Sequence, residues 1–163
     1  MQTLTQDTVL GTQISTIEME LAPTRLSTVV VDDSPSFLEV ICALLEQDDE
    51  LDLVARGQDG IEAIKIVAAL HPDLVVMDID MPHLDGLNAA SIISRCFPET
   101  RVVLMSAEES PELQADCRAC GAFGFVSKTR FRQEFPFLLH EIMAFPCSFY
   151  ADFTALESLL PPK

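Results

Sequence analysis

From residue 27 onward, short apolar runs alternate with longer stretches in which apolar residues recur every three or four positions. The runs are residues 28–31 (Thr-Val-Val-Val), 51–55, 74–77 (Leu-Val-Val-Met), 101–105 and 123–126. Being short and rich in β-branched and aromatic side chains, they read as buried strands. Between the first two, Phe37, Val40, Ile41, Leu44 and Leu45 form one apolar helix face. That helix starts at Ser34-Pro35, with proline at the first helical position, where an N–H is not needed. Asp59-Gly60 turns into a second helix carrying Ile61, Ile64 and Val67, which stops at His71-Pro72. Leu87, Ala90, Ile93 and Ser94 begin a third, after a loop over 82–86. A fourth spans about 110–120, with Gly121 as its C-cap. A fifth covers 135–145, placed so that Pro136 falls in its first turn, where proline is tolerated.

Strands and helices therefore alternate five times. Each connection allows a right-handed crossover, which makes the sheet parallel. Helices on both faces explain why the strands read as apolar runs rather than as alternating ones. The expected fold is α/β, a doubly wound five-stranded parallel sheet in the order 2-1-3-4-5. The domain occupies 27–145. Residues 1–26 form an N-terminal extension with a short helix near 12–21, and 146–163 a C-terminal tail. The tail carries an apolar stripe of Phe149, Phe153, Leu156, Leu159 and Leu160, read as a docked segment.

Composition narrows the function. Apolar residues make up 48% and charged residues 22%, ordinary for a globular protein. The net charge of −16 is not ordinary, and it argues against a DNA-binding surface, which needs a basic patch. Five cysteines, an odd number, do not make a disulfide framework. Cys117-Arg118-Ala119-Cys120 has CxxC spacing, but no second CxxC or histidine pair completes a zinc set, and the pair falls late in a helix. Small buried thiols are the expectation, and reduced thiols imply a cytoplasmic setting. The first 20 residues lack the basic and apolar regions of a signal peptide, and no run approaches the roughly 18 apolar residues of a membrane span.

The polar residues that close the strands carry the chemistry. Asp32-Asp33 closes the first, Asp78 the third, Ser106 the fourth and Lys128 the fifth. The second ends in Arg56-Gly57-Gln58, with no matching group. The order 2-1-3-4-5 puts that strand on the edge and the other four side by side, at the sheet edge where ligands bind. Three clustered carboxylates repel one another, and a hard divalent cation with oxygen ligands removes that cost. A carboxylate beside Mg²⁺ can act as a nucleophile and form an acyl phosphate. Lys128 and the metal would offset charge on the phosphoryl oxygens, Ser106 could donate to one of them, and small Ala107 leaves the approach open. Asp85-Gly86 reads as a turn, and His83 as a solvated loop residue beside the site.

Four pieces in order resemble the response-regulator receiver domain of two-component signalling. They are Val29-Val30-Val31-Asp32-Asp33-Ser34, the segment Asp78-Ile79-Asp80-Met81-Pro82-His83-Leu84-Asp85-Gly86, then Met105-Ser106-Ala107, and finally Gly121 through Lys128. The resemblance implies that Asp78 is the phosphoacceptor, supplied by a phosphohistidine on a sensor histidine kinase or histidine phosphotransfer protein. It implies Mg²⁺ held by Asp33 and Asp78 directly, by Asp32 through water and by the backbone carbonyl of Asp80. Lys128 and Ser106 would bind the phosphoryl group beside Ala107. Ser106 and Phe125 would act as the switch, and Asp80 and Glu108 would tune dephosphorylation. Thr129 departs from the pattern, since many receivers carry a cis proline there. No output domain is recognisable after residue 145, so the expectation is a stand-alone phosphorelay switch, not an enzyme. It would act on a downstream target protein, with homodimerisation open to it, and without direct DNA or membrane binding.

Two other readings compete. A haloacid-dehalogenase-like phosphatase also uses an Asp-x-Asp pair, a hydroxyl, a lysine and Mg²⁺. There the metal-binding acids follow the lysine, whereas Asp32-Asp33 precedes Lys128. A receiver-like interaction module that is never phosphorylated usually lacks one or more of these residues.

Overall fold

The computed structural model describes residues 25–144. The predicted helix near 12–21, the tail stripe and Cys147 lie outside the described residues. Five strands, β1 (Leu26–Val31), β2 (Leu51–Gly57), β3 (Leu74–Asp78), β4 (Arg101–Ser106) and β5 (Gly124–Ser127), form one sheet in the order β2-β1-β3-β4-β5. All four pairings are parallel. The helices are α1 (Pro35–Leu45), α2 (Gly60–Leu70), α3 (Gly86–Cys96), α4 (Pro111–Ala119) and α5 (Phe131–Ala144).

Successive side chains of a strand point to opposite faces, and here each set meets its own helices. Val30, Val76, Val103, Met105 and Val126 pack with α1 and α5 residues such as Ile41, Leu45, Phe135 and Leu139. Val29, Val31, Val75, Met77, Val102 and Leu104 pack with Ala63 and Val67 of α2, Ala89 and Ile93 of α3, and Cys117 of α4. The three central strands are buried on both sides, so their alternation is hidden in the sequence. Each such valine or leucine withdrawn from water contributes about 1.5–3 kcal/mol.

Helix starts follow their caps. Asp59, Asp85 and Ser110 each accept a hydrogen bond from a backbone N–H in the first turn of α2, α3 and α4. Gly121, at φ 84°, ends α4 in the left-handed region that glycine adopts without a side-chain clash.

Helix α5 differs from expectation. It starts at Phe131, not at 135, and Pro136 lies inside it. Phe131 and Phe135 stack with centroids 4.7 Å apart and are both buried, so packing extends the helix by one turn. Proline at 136 removes the helical bond to the carbonyl of Arg132, an exposed residue. Of the CxxC thiols, one is buried as expected and the other, Cys120, is part-buried. Cys117 is buried, and burial pushes its thiol up to about 11, while Cys120 Sγ donates to the Cys117 carbonyl at 3.1 Å. Among the described residues, no helix is long and apolar enough to cross a membrane.

Candidate functional site

The register of the sheet gathers the polar strand ends. Val31 of β1 pairs with Met77 of β3, and Asp78 pairs with Met105 of β4, so Asp32, Asp78 and Ser106 emerge side by side. Ser106 pairs in turn with Ser127 of β5, and the Lys128 N–H donates to the Ser106 carbonyl at 2.8 Å.

Lys128 is the centre of the site. Its Nζ lies 2.7 Å from Asp32 Oδ2 and 2.9 Å from Asp78 Oδ2. Asp32 is wholly buried, and its Oδ1 accepts the Ser34 N–H at 2.9 Å. Asp32 Oδ2 receives no well-aligned hydrogen bond, so the ammonium serves as its counter-charge. Asp78 is also buried. Burial pushes its carboxyl above the usual carboxylate range; bonds and charge from Lys128 pull it back, while the Asp32 charge adds to the rise. For Lys128, burial acts downward, but its close contacts with the Asp32 and Asp78 carboxylates outweigh it and hold the ammonium above its ordinary value.

Asp33 is exposed at the rim, and one oxygen from each of Asp32, Asp33 and Asp78 lies within 4.8 Å of the others. Three carboxylates against one ammonium leave an excess of two negative charges when all are ionised. An all-oxygen set with that excess, and with a buried carboxylate oxygen short of donors, fits a hard divalent cation.

The remaining predicted residues lie at the edge of this group. Ser106 is buried; its Oγ accepts the Glu108 N–H at 3.0 Å and makes a long 3.4 Å bond to Asp80 Oδ2. Asp80, Ala107 and Glu108 are exposed. Phe125 is not in the carboxylate cluster: it is half-buried on a groove of about 400 Å³ lined also by Gln114, Arg118, Phe123 and Arg130. His83 is exposed and pairs with Asp59 at 3.2 Å, outside the acidic cluster, in keeping with its reading as a loop residue. The Lys128–Thr129 peptide is trans, and the Thr129 hydroxyl lies 2.9 Å from that of Ser127.

Two residues of the site were not found by sequence reasoning. Gly86 reads as half of a turn, yet a Cβ there would collide with the Asp78 carbonyl oxygen and crowd Ile79. Its N–H donates to the Ile79 carbonyl at 2.8 Å, so the start of α3 is pressed against the backbone that carries Asp78. Phe37 reads as part of an apolar helix face, yet Lys128 Nζ lies over its ring, 4.6 Å from the centroid. The glycine itself was a visible signal; nothing in the spacing of Phe37 linked it to Lys128.

Comparison with known proteins agrees with this fold. Residues 28–136 match the family model described as the response regulator receiver domain. A protein-glutamate methylesterase/protein-glutamine glutaminase of Pyrococcus abyssi is 34% identical over 112 residues, which are 68% of this chain but 30% of that protein. The chain thus spans less than a third of that relative's length. The response regulator domain of Thermotoga maritima CheB superposes with a TM-score of 0.65 at 31% identity, covering 74% of this chain and 97% of that one. A chain from the CheX–CheY complex with BeF₃ and Mg from Borrelia burgdorferi superposes at 0.59 with 26% identity, covering 66% of this chain and 84% of that one.

Proposed function

The chain belongs to the response regulator receiver domain family, and from that premise we propose that it is a phosphoacceptor switch with Asp78 as the acceptor. One observation carries the reading: Lys128 bridges two buried carboxylates, Asp32 and Asp78, while Asp33 completes a three-oxygen cluster at the rim. Asp32 and Asp78 share a strand-end position, contact with the ammonium and a place in the acidic cluster, but it is the strand of Asp78 that pairs with the one ending in Ser106.

The step is a phosphoryl transfer. A carboxylate oxygen of Asp78 attacks the phosphorus of a phosphohistidine on a sensor kinase or phosphotransfer protein. The O–P bond forms, the P–N bond breaks, and the histidine nitrogen keeps the electron pair. Lys128 lies close enough to offset charge on the transferred group, and Ser106 supplies a hydroxyl from the neighbouring strand. Asp33 and Asp78 would hold Mg²⁺ directly, Asp32 through water and Asp80 by its backbone carbonyl. Bound there, the metal would offset the carboxylate and phosphoryl charges. The Mg in the CheX–CheY complex supports Mg²⁺ as the ion.

Once phosphorylated, Ser106 is drawn toward the phosphoryl group, and Phe125 re-packs over its groove between α4 and α5. The altered α4–β5–α5 surface then selects a downstream protein or a second copy of the chain. Asp80 and Glu108, exposed beside the site, set the rate of dephosphorylation. The net charge of −16 favours a protein target over DNA. The setting is cytoplasmic, where a kinase donor and reduced thiols coexist. The methylesterase activity of the longer Pyrococcus abyssi relative is not assigned to this chain.

The test is direct. With a small acyl-phosphate donor and Mg²⁺, intact-mass measurement should show one added phosphoryl group in the wild type and none in Asp78→Asn. Equal labelling of the two, or none in the wild type, would overturn the proposal.

A further inference from the structure

Lys128 has a third neighbour that neither the acidic cluster nor the family assignment accounts for. Its ammonium lies between two carboxylate oxygens, at 2.7 and 2.9 Å, and the face of the Phe37 ring, 4.6 Å from the centroid. The lysine side chain is only 16% exposed, so little water competes for its remaining N–H. A cation over an aromatic face is attracted by the ring quadrupole, more strongly where water is excluded.

The position of Phe37 is not incidental. Asp32 Oδ1 holds the Ser34 N–H, and the Leu38 N–H donates to the Ser34 carbonyl at 2.9 Å. The first turn of α1, which carries Phe37, is thereby hung on the carboxylate whose other oxygen faces Lys128. Asp32, Lys128 and Phe37 form a triangle in which each fixes the next. The ring packs against the core shared by α1, α5 and the sheet, so it is braced from behind.

We propose that Phe37 is a positioning residue for phosphoryl transfer: its ring holds the Lys128 ammonium aimed at Asp78. This rests on the reading of Asp78 as acceptor. An aromatic face suits the task because it attracts the cation without offering a lone pair that competes with carboxylate or phosphoryl oxygens. A leucine of similar reach fills the space but lacks the quadrupole, whereas tryptophan keeps it.

The test uses the full chain and two readouts. In metal-free, unphosphorylated protein, NMR of the lysine ammonium groups should give a protected Lys128 signal with ring-current-shifted protons. Phe37→Leu should lose both features, and Phe37→Trp should keep them. With a small acyl-phosphate donor at saturating Mg²⁺, Phe37→Leu should be phosphorylated on the order of fivefold more slowly, and Phe37→Trp at near wild-type rate. A folded Phe37→Leu protein with wild-type rate and an unchanged ammonium signal overturns the proposal. So does slowing that tryptophan fails to rescue, since that marks a purely steric role. If the wild type takes no phosphoryl group while the ammonium signal responds to Phe37, the acceptor reading fails and the contact itself stands as structural.

Discussion

The loops after β3 and β4 hold adjacent parts of one site by different means. The loop after Asp78 is fixed by backbone. Ile79 N–H donates to Met105, Gly86 N–H to Ile79, and Gly60 N–H to Leu84, and neither Gly86 nor Gly60 has room for a Cβ. The loop after Ser106 is held chiefly by side chains. Glu108 N–H meets the Ser106 hydroxyl, that hydroxyl reaches Asp80 at 3.4 Å, and Glu109 pairs with Arg130, which is half exposed. Close-packed backbone gives way only at high cost, whereas exposed ion pairs and long hydrogen bonds exchange readily with water. The carboxylate thus has a backbone-clamped seat and the hydroxyl a seat held by weaker side-chain contacts, the asymmetry that the proposed switch would require.

The largest expected effect comes from breaking the rigid side. Gly86→Ala forces a methyl group into the Asp78 carbonyl, and urea unfolding should show a loss of about 2–3 kcal/mol. A wild-type midpoint would mean that the α3 start does not clamp the β3 end.

Next is the charge seated there. Asp78→Asn should stabilise the metal-free protein by about 1 kcal/mol, read as a higher Tm, because a buried charge is removed while Lys128 keeps Asp32. The sign with pH follows. The folded carboxyl of Asp78 lies above its ordinary value, so the folded state binds that proton more tightly than the unfolded chain. Its destabilising contribution in metal-free protein therefore fades as pH falls through the carboxylate range, and Asp78→Asn should remove that component of the pH dependence.

On the adjustable side the effects are smaller. Arg130→Gln breaks the pairs to Glu109 and Glu134 and should cost less than about 1 kcal/mol, a difference that high salt abolishes. The smallest perturbation is none at all. In native protein, the amides of Ile79 and Gly86 should exchange with deuterium far more slowly than that of Glu108, as measured by NMR. Equal protection would erase the contrast between the two loops.

Much of this was legible in the chain. Apolar runs and three-to-four spacing placed all five strands and five helices, because both patterns are local. The carboxylates, hydroxyl and lysine were legible because each directly ends or follows a strand. The start of α5 was not, because stacking of Phe131 on Phe135 is a packing gain that outweighs the local signal of Pro136.

By itself, then, the sequence determined which elements form, their parallel order and which polar groups reach one edge of the sheet. Only the tertiary structure decided that Lys128 spans Asp32 and Asp78, that Phe37 lies under its ammonium and that Gly86 bears on the Asp78 backbone. Apart from that of Gly86 with Asp78, these contacts join residues far apart in the chain. Their distances depend on sheet register and helix docking, which no periodicity within a single element encodes.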